Sequence, residues 1–178
     1  MFTGTAVGTA VLTATIGSGS FGNATVAVSQ GRYIYLPTVM NNYAPGKNLM
    51  ATLIVATPTN LAATSVTIRN TGDVAVTEEF WVVLYVDPTS PVQVNKFWWE
   101  VGSTKGISWR VTTPIPAGQT LTLTASGSYV DAARTSWPPT LGTHTLWVQA
   151  DAYGGPFGLV KETNESDNIY GPVPLNVP

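Results

Sequence analysis

The chain has a single histidine, His144, so any histidine-based nucleophilic catalysis would depend on this residue. The nearest acidic residue on the same predicted strand is Asp151. An odd separation along a strand places two side chains on opposite faces, so this pair is not suited to an acid–base dyad. We therefore predict no catalytic residues and no enzymatic activity, and interpret His144 as a strand-entry histidine bonded to neighbouring backbone.

Acidic and amide side chains are concentrated between residues 151 and 168. Oxygen ligands from one loop can bind Ca²⁺, which makes Asp151, Glu162 and Asp167 weak calcium candidates. Their spacing does not match an EF-hand loop, and side-chain turns with solvated glutamates account for the same pattern. We favour this structural interpretation, and predict no cofactor and no dedicated metal site.

The segment GSGSFG, residues 17–22, matches the G-x-G-x-x-G pattern of dinucleotide-binding proteins. Such a site needs a helix directly after the glycines, because the helix N-terminus faces the pyrophosphate. The residues that follow here are NATVAVS, which are typical of a strand. We interpret the segment as the loop of a β-hairpin.

Six tryptophans and seven tyrosines provide rings that can stack on sugars or fill a protein interface. Trp98 and Trp99 are adjacent, so on a strand they would face opposite ways. We favour burial beneath the loop at residues 129–139 over a glycan platform, because large aromatic side chains are mostly buried. The candidate glycan or interface aromatics are Trp98, Trp99, Trp109 and Trp137.

Composition excludes several classes of function. Charged residues make up 10% of the chain, against ~25% in average soluble proteins. With 8 basic and 10 acidic residues and no basic run, the chain lacks the positive patch that nucleic-acid binding requires. The longest apolar run, FWVVLYV, is far shorter than the ~20 residues of a membrane helix. The absence of cysteine excludes disulfides, and the first residues lack signal-peptide features, so we expect any export signal to lie elsewhere.

β-branched and aromatic residues alternate with period two between Gly, Pro and Asn clusters, which predicts an all-β chain with almost no helix. About eight short, closely spaced strands are typical of a β-sandwich. Outside the N-terminal hairpin, the predicted strands are residues 49–57, 64–70, 79–87, 94–101, 106–113, 119–126, 143–151 and 157–162.

Alternation also predicts which side chains face the core. The inward set is Val66, Ile68, Leu121, Leu123, Leu146 and Val148, and the outward set is Thr120, Thr122, Thr124 and Gln149. The run FWVVLYV does not alternate, so one of its faces either is covered within the fold or meets a partner. We favour a central strand covered on both sides.

Three segments in order carry a family resemblance: IRNTGDVAVTEEFWVVLYVD, LGTHTLWVQAD and VKETNESDN. With them, residues 49–178 resemble the CARDB family, the cell-adhesion-related domain found in bacteria. The resemblance implies an immunoglobulin-like antiparallel β-sandwich without general catalytic residues, used as a spacer, assembly or adhesion unit. The segment FWWEVGSTKGISW is an elaboration on that pattern.

The first thirty residues are similar to the closing hairpin of invasin- and intimin-type bacterial immunoglobulin-like domains, through LTATIGS followed by ATVAV. We predict a hairpin extension at residues 1–30, a linker at 31–48 and a sandwich at 49–178. An isolated two-stranded hairpin is marginal in water, so we expect it either to pack back on its own domain or to add to the sheet of a neighbouring subunit. The predicted assembly-strand residues are Val7, Val11, Leu12, Ile16, Val26 and Val28.

Two functions remain open at this point. The leading hypothesis is a secreted or cell-surface bacterial structural protein, assembled head to tail into an extracellular filament when one subunit's extension adds to the sheet of the next. The alternative is an adhesion or glycan-binding spacer module of a larger surface protein, with a glycan or the cell wall as its partner. Both place the protein outside the bacterial cell, without nucleic acid and without a membrane span.

Overall fold

A computed structural model describes residues 8–16, 19–28, 45–155 and 158–178, the first two segments as backbone only. The chain divides into two compact units, residues 1–43 and 44–178. In the first unit β1 (Gly8–Ile16) and β2 (Gly19–Val28) form the predicted antiparallel hairpin, which pairs Gly8 with Val28. Gly19 to Gly22, predicted to be loop, belong to β2, and residues 17–18 lie outside the described residues. Most of the predicted linker lies outside the described residues.

The second unit contains seven strands in two antiparallel sheets, which confirms the all-β class and gives a β-sandwich. The first sheet has the order β3-β4-β7 and the second the order β6-β5-β8-β9. The strands are β3 (Leu49–Val55), β4 (Ser65–Asn70), β5 (Phe80–Val86), β6 (Lys105–Val111), β7 (Thr120–Thr124), β8 (Gly142–Gln149) and β9 (Ile169–Val177). Three short 3-10 helices cover Leu61–Ala63, Trp98–Val101 and Ala132–Arg134.

The core lies between the two sheets and follows the predicted alternation. Val66, Ile68 and Leu123 of the first sheet are buried with Leu146 and Val148 of the second. Burying each aliphatic side chain of this size contributes about 1.5–3 kcal/mol relative to leaving it exposed. Leu121 is half-buried, and the three β7 threonines are exposed as predicted.

A hydrogen bond through the core also ties the two sheets together. Trp109 on β6 is fully buried, and its Nε1–H donates to the carbonyl oxygen of Thr124 on β7 at 2.9 Å. The bond satisfies the one polar atom of the indole where water is excluded, which is the usual condition for burying tryptophan.

Strand β5 is covered on both faces, which confirms the favoured interpretation of its continuous apolar run. Phe80, Val82 and Leu84 face the main core, whereas Val83 and Tyr85 belong to a second cluster on the outer face of the four-stranded sheet. This second layer is built largely from the connection between β5 and β6.

Gln149 faces away from the main core as predicted, but the second layer covers it to 1% exposure, so it is buried. With its amide oriented by its neighbours, Gln149 donates to the carbonyl of Gln93 and accepts from the N–H of Val94, both at 3.1 Å. A buried amide is tolerated when its donor and acceptor are both matched.

The predicted strand at residues 94–101 is also wrong. The chain instead ends this stretch in a 3-10 helix, because the Glu100 carboxylate accepts the Phe97 N–H at 2.7 Å and draws the backbone into a turn. Gly102, at φ 76°, then ends the helix in the left-handed conformation that favours glycine.

Two further differences lie near the C-terminal end. Residues 158–162 form no strand, because Asp151 takes the N–H groups of Leu159 and Val160 that a ladder would use. The sequence pattern does not predict β9, because Pro172 and Pro174 interrupt its alternation. Prolines are accommodated there because β9 is an edge strand.

Candidate functional site

Asp87, just after β5, holds the beginning of β8. Its Oδ1 accepts the Thr145 backbone N–H at 2.7 Å and the Thr145 hydroxyl at 3.0 Å. Its Oδ2 lies 2.6 Å from Nδ1 of His144. The acidic residue after β5 and the GTHT segment are therefore the two halves of one contact.

The His144 ring lies between two hydrogen-bond acceptors. Besides Asp87, its Nε2 lies 2.8 Å from the carbonyl oxygen of Thr140. Both neighbours are acceptors, so both ring nitrogens must carry hydrogen for both bonds to form. The hydrogen bond to Asp87, together with the one to the Thr140 carbonyl, raises the pKa of His144. Partial burial opposes ionisation of Asp87, yet its bonds to Thr145 and His144 lower its pKa.

This geometry leaves the imidazole without a free lone pair for proton abstraction. The backbone bond expected for His144 is present through Thr140, whereas the carboxylate partner is Asp87 rather than Asp151. The sequence alone does not pair Asp87 with His144, because the two lie 57 positions apart and on different strands. The contact joins the end of β5 to the beginning of β8.

Asp151 closes the turn that follows β8. It is fully buried, and its carboxylate accepts the N–H groups of Leu159 at 2.9 Å and Val160 at 2.7 Å. Burial raises the pKa of Asp151 to about 6, although these two bonds favour the charged form. A Cβ on Gly158 would lie 2.1 Å from Oδ2 of Asp151, so the turn requires glycine there.

Glu162 and Asp167 instead fasten the loop before β9 to the start of β3. Glu162 accepts the Leu49 backbone N–H and, at 2.9 Å, the Asn168 amide. Burial raises the pKa of Glu162 to about 8 against those two hydrogen bonds. Asp167 accepts from the side chain of Asn48 at 2.9 Å, and the oxygen of Asn48 accepts the backbone N–H of residue 164 at 3.0 Å.

These contacts separate the three calcium candidates. Asp151 serves the turn after β8, whereas Glu162 and Asp167 serve the start of β3. In the part of the chain that the structure describes, no three acidic or histidine side chains are grouped so as to hold a metal ion. The carboxylates are engaged by N–H donors, so the arrangement offers the calcium hypothesis no support.

The four candidate tryptophans occupy different environments. Trp109 is in the core and Trp137 is half-buried. Trp98 is half-buried too, and its Nε1–H donates at 2.9 Å to the carbonyl of Arg134, within the loop expected to cover it. Trp99 is 43% exposed. Only Trp99 among them presents much of its ring to solvent.

Trp99 belongs to a group that the sequence did not define. Its ring stacks on Phe97 with centroids 4.6 Å apart and planes at 3°, and Phe97 also lies 4.6 Å from the ring of Tyr153. Trp81 meets Phe97 edge-on at 5.5 Å. The aromatic run FWW was a signal for this cluster, whereas Tyr153 lies far away in sequence.

Sheet edges are the other sites where a partner could add. The edge of β6 is covered by residues 129–136. Gly106 exchanges both backbone bonds with Ser136, at 2.9 and 2.8 Å, and the Arg110 N–H donates to Tyr129 at 2.8 Å. This edge has no row of free groups to offer a further strand.

The edge of β9 is blocked by proline. Thr145 directs its backbone towards β5, because its carbonyl accepts the Asp87 N–H at 2.9 Å. Its partner on β9, Pro174, therefore faces the outer edge, where proline has no N–H to donate.

The edge of β3 is interrupted. The Leu49 N–H is taken by Glu162, and the carbonyl of Lys47 accepts the Thr163 N–H at 2.9 Å. A bulge follows between Ala51 and Leu53, and bulges are a common way of blunting an edge.

The edge of β7 is open. Towards β4, the Ala125 N–H donates to Thr64 at 2.8 Å, and Gln119 accepts the Asn70 N–H at 2.9 Å. Because antiparallel ladders alternate, the backbone groups of Thr120 and Thr122 point the other way, whereas the Thr124 carbonyl already accepts from Trp109 and from the Gly127 N–H. Within residues 45–155 and 158–178, no strand pairs with that side.

For the predicted assembly-strand residues the structure describes the backbone pairing only. Val11 and Leu12 pair with Thr25 and Ala24, and Ile16 pairs with Gly19. Val26 and Val28, on β2, pair with Ala10 and Gly8. Val7 lies outside the described residues, and the role of all six remains a prediction.

Comparison with known proteins found no matching family model, no matching curated protein and no matching solved structure. The family resemblance of residues 49–178 and that of the N-terminal hairpin therefore stay predictions. Among the described residues, no helix has the length and apolar character needed to cross a membrane.

Proposed function

We propose that this protein is the structural subunit of an extracellular filament on bacteria. In this proposal the N-terminal hairpin of one copy adds as extra strands to the β7 edge of the next copy. The observation that carries the proposal is the open edge at β7, beside three edges that are covered, blocked or interrupted.

The β7 edge has properties that suit strand addition. The backbone groups of Thr120 and Thr122 alternate donor and acceptor along it, as a pairing strand requires. Residues 117–130 contain no charged side chain and no proline, the residue types that usually protect an exposed edge. The exposed threonines are β-branched, which favours an extended backbone.

The N-terminal hairpin supplies the matching donor. Its described strands pair with each other and leave one outer edge on each. A two-stranded sheet is marginal alone, and docking on a three-stranded sheet gives it a larger ladder. The donor and acceptor surfaces differ, so the contact is heterologous and repeats into an open fibre when its rotation does not close a ring.

The charge of the chain supports close packing of subunits. The formal net charge is −2 and charged residues are 10% of the total. Self-repulsion between copies is weak at such a charge, which favours association over dispersal.

The test is electron microscopy and light scattering of the full chain beside a variant lacking residues 1–30. We expect fibres from the full chain, and a folded monomer from the deletion with the β-rich circular dichroism of the sandwich. Fibres from the deletion variant, or a full chain that stays monomeric at high concentration, would refute the proposal.

A further inference from the structure

An aromatic patch lies on the outer face of the four-stranded sheet, opposite the main core. We define the patch as Phe97, Trp99 and Tyr153, with Trp81 and Arg134 at its border. Phe97 is only 5% exposed, whereas Trp99 is 43% and Tyr153 41% exposed. The buried ring thus supports two rings that are open to solvent.

The patch is held in place by hydrogen bonds around it. The Phe97 N–H donates to the Glu100 carboxylate at 2.7 Å, and the Glu100 N–H donates to the Phe97 carbonyl at 3.0 Å. On the other side, Asn95 accepts the Gly154 N–H at 2.8 Å, next to Tyr153. Because these contacts fix the rings beforehand, a ligand loses little affinity to ordering them.

Charges around the patch are balanced. The Arg134 guanidinium lies 5.3 Å from the centroid of the Trp81 ring and forms an ion pair with Asp131 at 2.7 Å. Lys96 and Glu100 flank Phe97 with opposite signs. This balance favours a neutral ligand, and the partly exposed side chains of Arg134 and Glu100 supply a hydrogen-bond donor and an acceptor.

The size of the patch argues against a protein partner. An aromatic side chain has roughly 150–250 Å² of surface, so two rings exposed to about two fifths offer on the order of 200 Å². A stable protein interface needs about 800 Å² from each partner. An area this small suits a rigid ligand unit with one apolar face.

We infer that this patch binds the neutral sugar rings of a polysaccharide. A pyranose ring presents axial C–H groups that stack on an aromatic face, and hydroxyls at its rim that hydrogen-bond to groups such as Arg134 and Glu100. The site uses neither the β7 edge nor the N-terminal hairpin, so it stands or falls independently of filament formation.

The experiment measures binding of cellohexaose, chitohexaose and xylohexaose to the full chain by isothermal titration calorimetry. The variants are Trp99→Ala and Tyr153→Ala, and the control is Leu53→Ala, an apolar residue 45% exposed on the other sheet. We expect saturable binding of at least one hexasaccharide, weakened at least tenfold in both aromatic variants and unchanged in the control.

Thermal unfolding of each variant shows whether it is folded at the titration temperature, and Trp99→Phe keeps a ring where Trp99→Ala removes it. Binding retained in Trp99→Phe and lost in Trp99→Ala supports stacking. The inference is overturned if none of the three sugars binds at millimolar concentration, or if folded Trp99→Ala and Tyr153→Ala bind as well as Leu53→Ala.

Discussion

Nδ1 of His144 lies 2.6 Å from Oδ2 of Asp87, across the junction between β5 and β8. The other ring nitrogen lies 2.8 Å from the Thr140 carbonyl, so the pair is an imidazolium held between a carboxylate and a backbone acceptor. The contact joins two central strands of the four-stranded sheet at their ends.

This pairing predicts a pH-dependent stability. The pKa of His144 is raised in the folded state, so the stabilisation is complete below the unfolded value of ~6.5 and is lost as pH rises through the folded pKa. Because Asp87 is half-exposed, we expect a contribution of no more than about 1 kcal/mol. The His144 ring protons should titrate above pH 6.5 by NMR, and a midpoint at or below that value would contradict the cationic pairing.

The raised pKa of Glu162 predicts a second pH dependence of stability, in the same direction. Burial raises its pKa to about 8, against an unfolded value of ~4.3. The folded state binds the proton more tightly, so the free energy of unfolding falls as pH rises from about 4 to 8. Urea unfolding across this range should show a slope that is smaller in Glu162→Gln.

Two substitutions of Glu162 distinguish the contribution of its charge to stability from that of its hydrogen bonds. Glu162→Ala leaves the Leu49 N–H and the Asn168 amide without their acceptor, and we expect a loss of about 2 kcal/mol in the free energy of unfolding. Glu162→Gln keeps one acceptor oxygen. The new Gln amide N–H can donate to Oδ1 of Asn168, which is buried and has no partner among the described residues. Equal stability of the two variants would show that these hydrogen bonds do not hold the loop.

Removing the Asn48 side chain should destabilise the fold more than its position just before β3 suggests. Its side chain is 6% exposed and bonds to Thr71 at 2.8 Å, to Asp167 at 2.9 Å and to the N–H of residue 164 at 3.0 Å. Asn48→Ala leaves several hydrogen-bonding groups without a partner, so we expect a loss of about 2–3 kcal/mol in unfolding free energy. Asn60→Ala, at an exposed turn, is the control and should lose less than half as much.

Local pattern was sufficient for much of the sandwich. Strands such as β4, β7 and β8 alternate clearly, and their inward residues are the core. The alternation predicts the face of Gln149 but not its burial, because polarity cannot show that a second layer covers the outer face of β8. The local pattern is misleading at residues 94–101, where the side chains are typical of a strand. The hydrogen bond from the Phe97 N–H to Glu100 favours a turn over extended pairing there.

The candidate site was less predictable, because its contacts join distant residues. Asp87 meets His144 across 57 positions, and Asn48 meets Asp167 across 119. Each polar residue is compatible with a solvated surface position until the strand order is known. Likewise, the openness of β7 depends on the order of strands in the sheet and not on its own five residues.

The filament proposal depends on the outward N–H groups of β7, and proline at position 122 removes one of them. Thr122 makes no ladder bond to β4 through that N–H, so Thr122→Pro should keep the sandwich folded, whereas Thr122→Val keeps the N–H as a matched control.

The most direct measurement is the rate and extent of polymerisation of these two variants beside the unchanged chain, followed by light scattering and electron microscopy. We predict fibres from the unchanged chain and from Thr122→Val, and a folded monomer from Thr122→Pro. Fibres of normal yield from Thr122→Pro would contradict addition at the β7 edge.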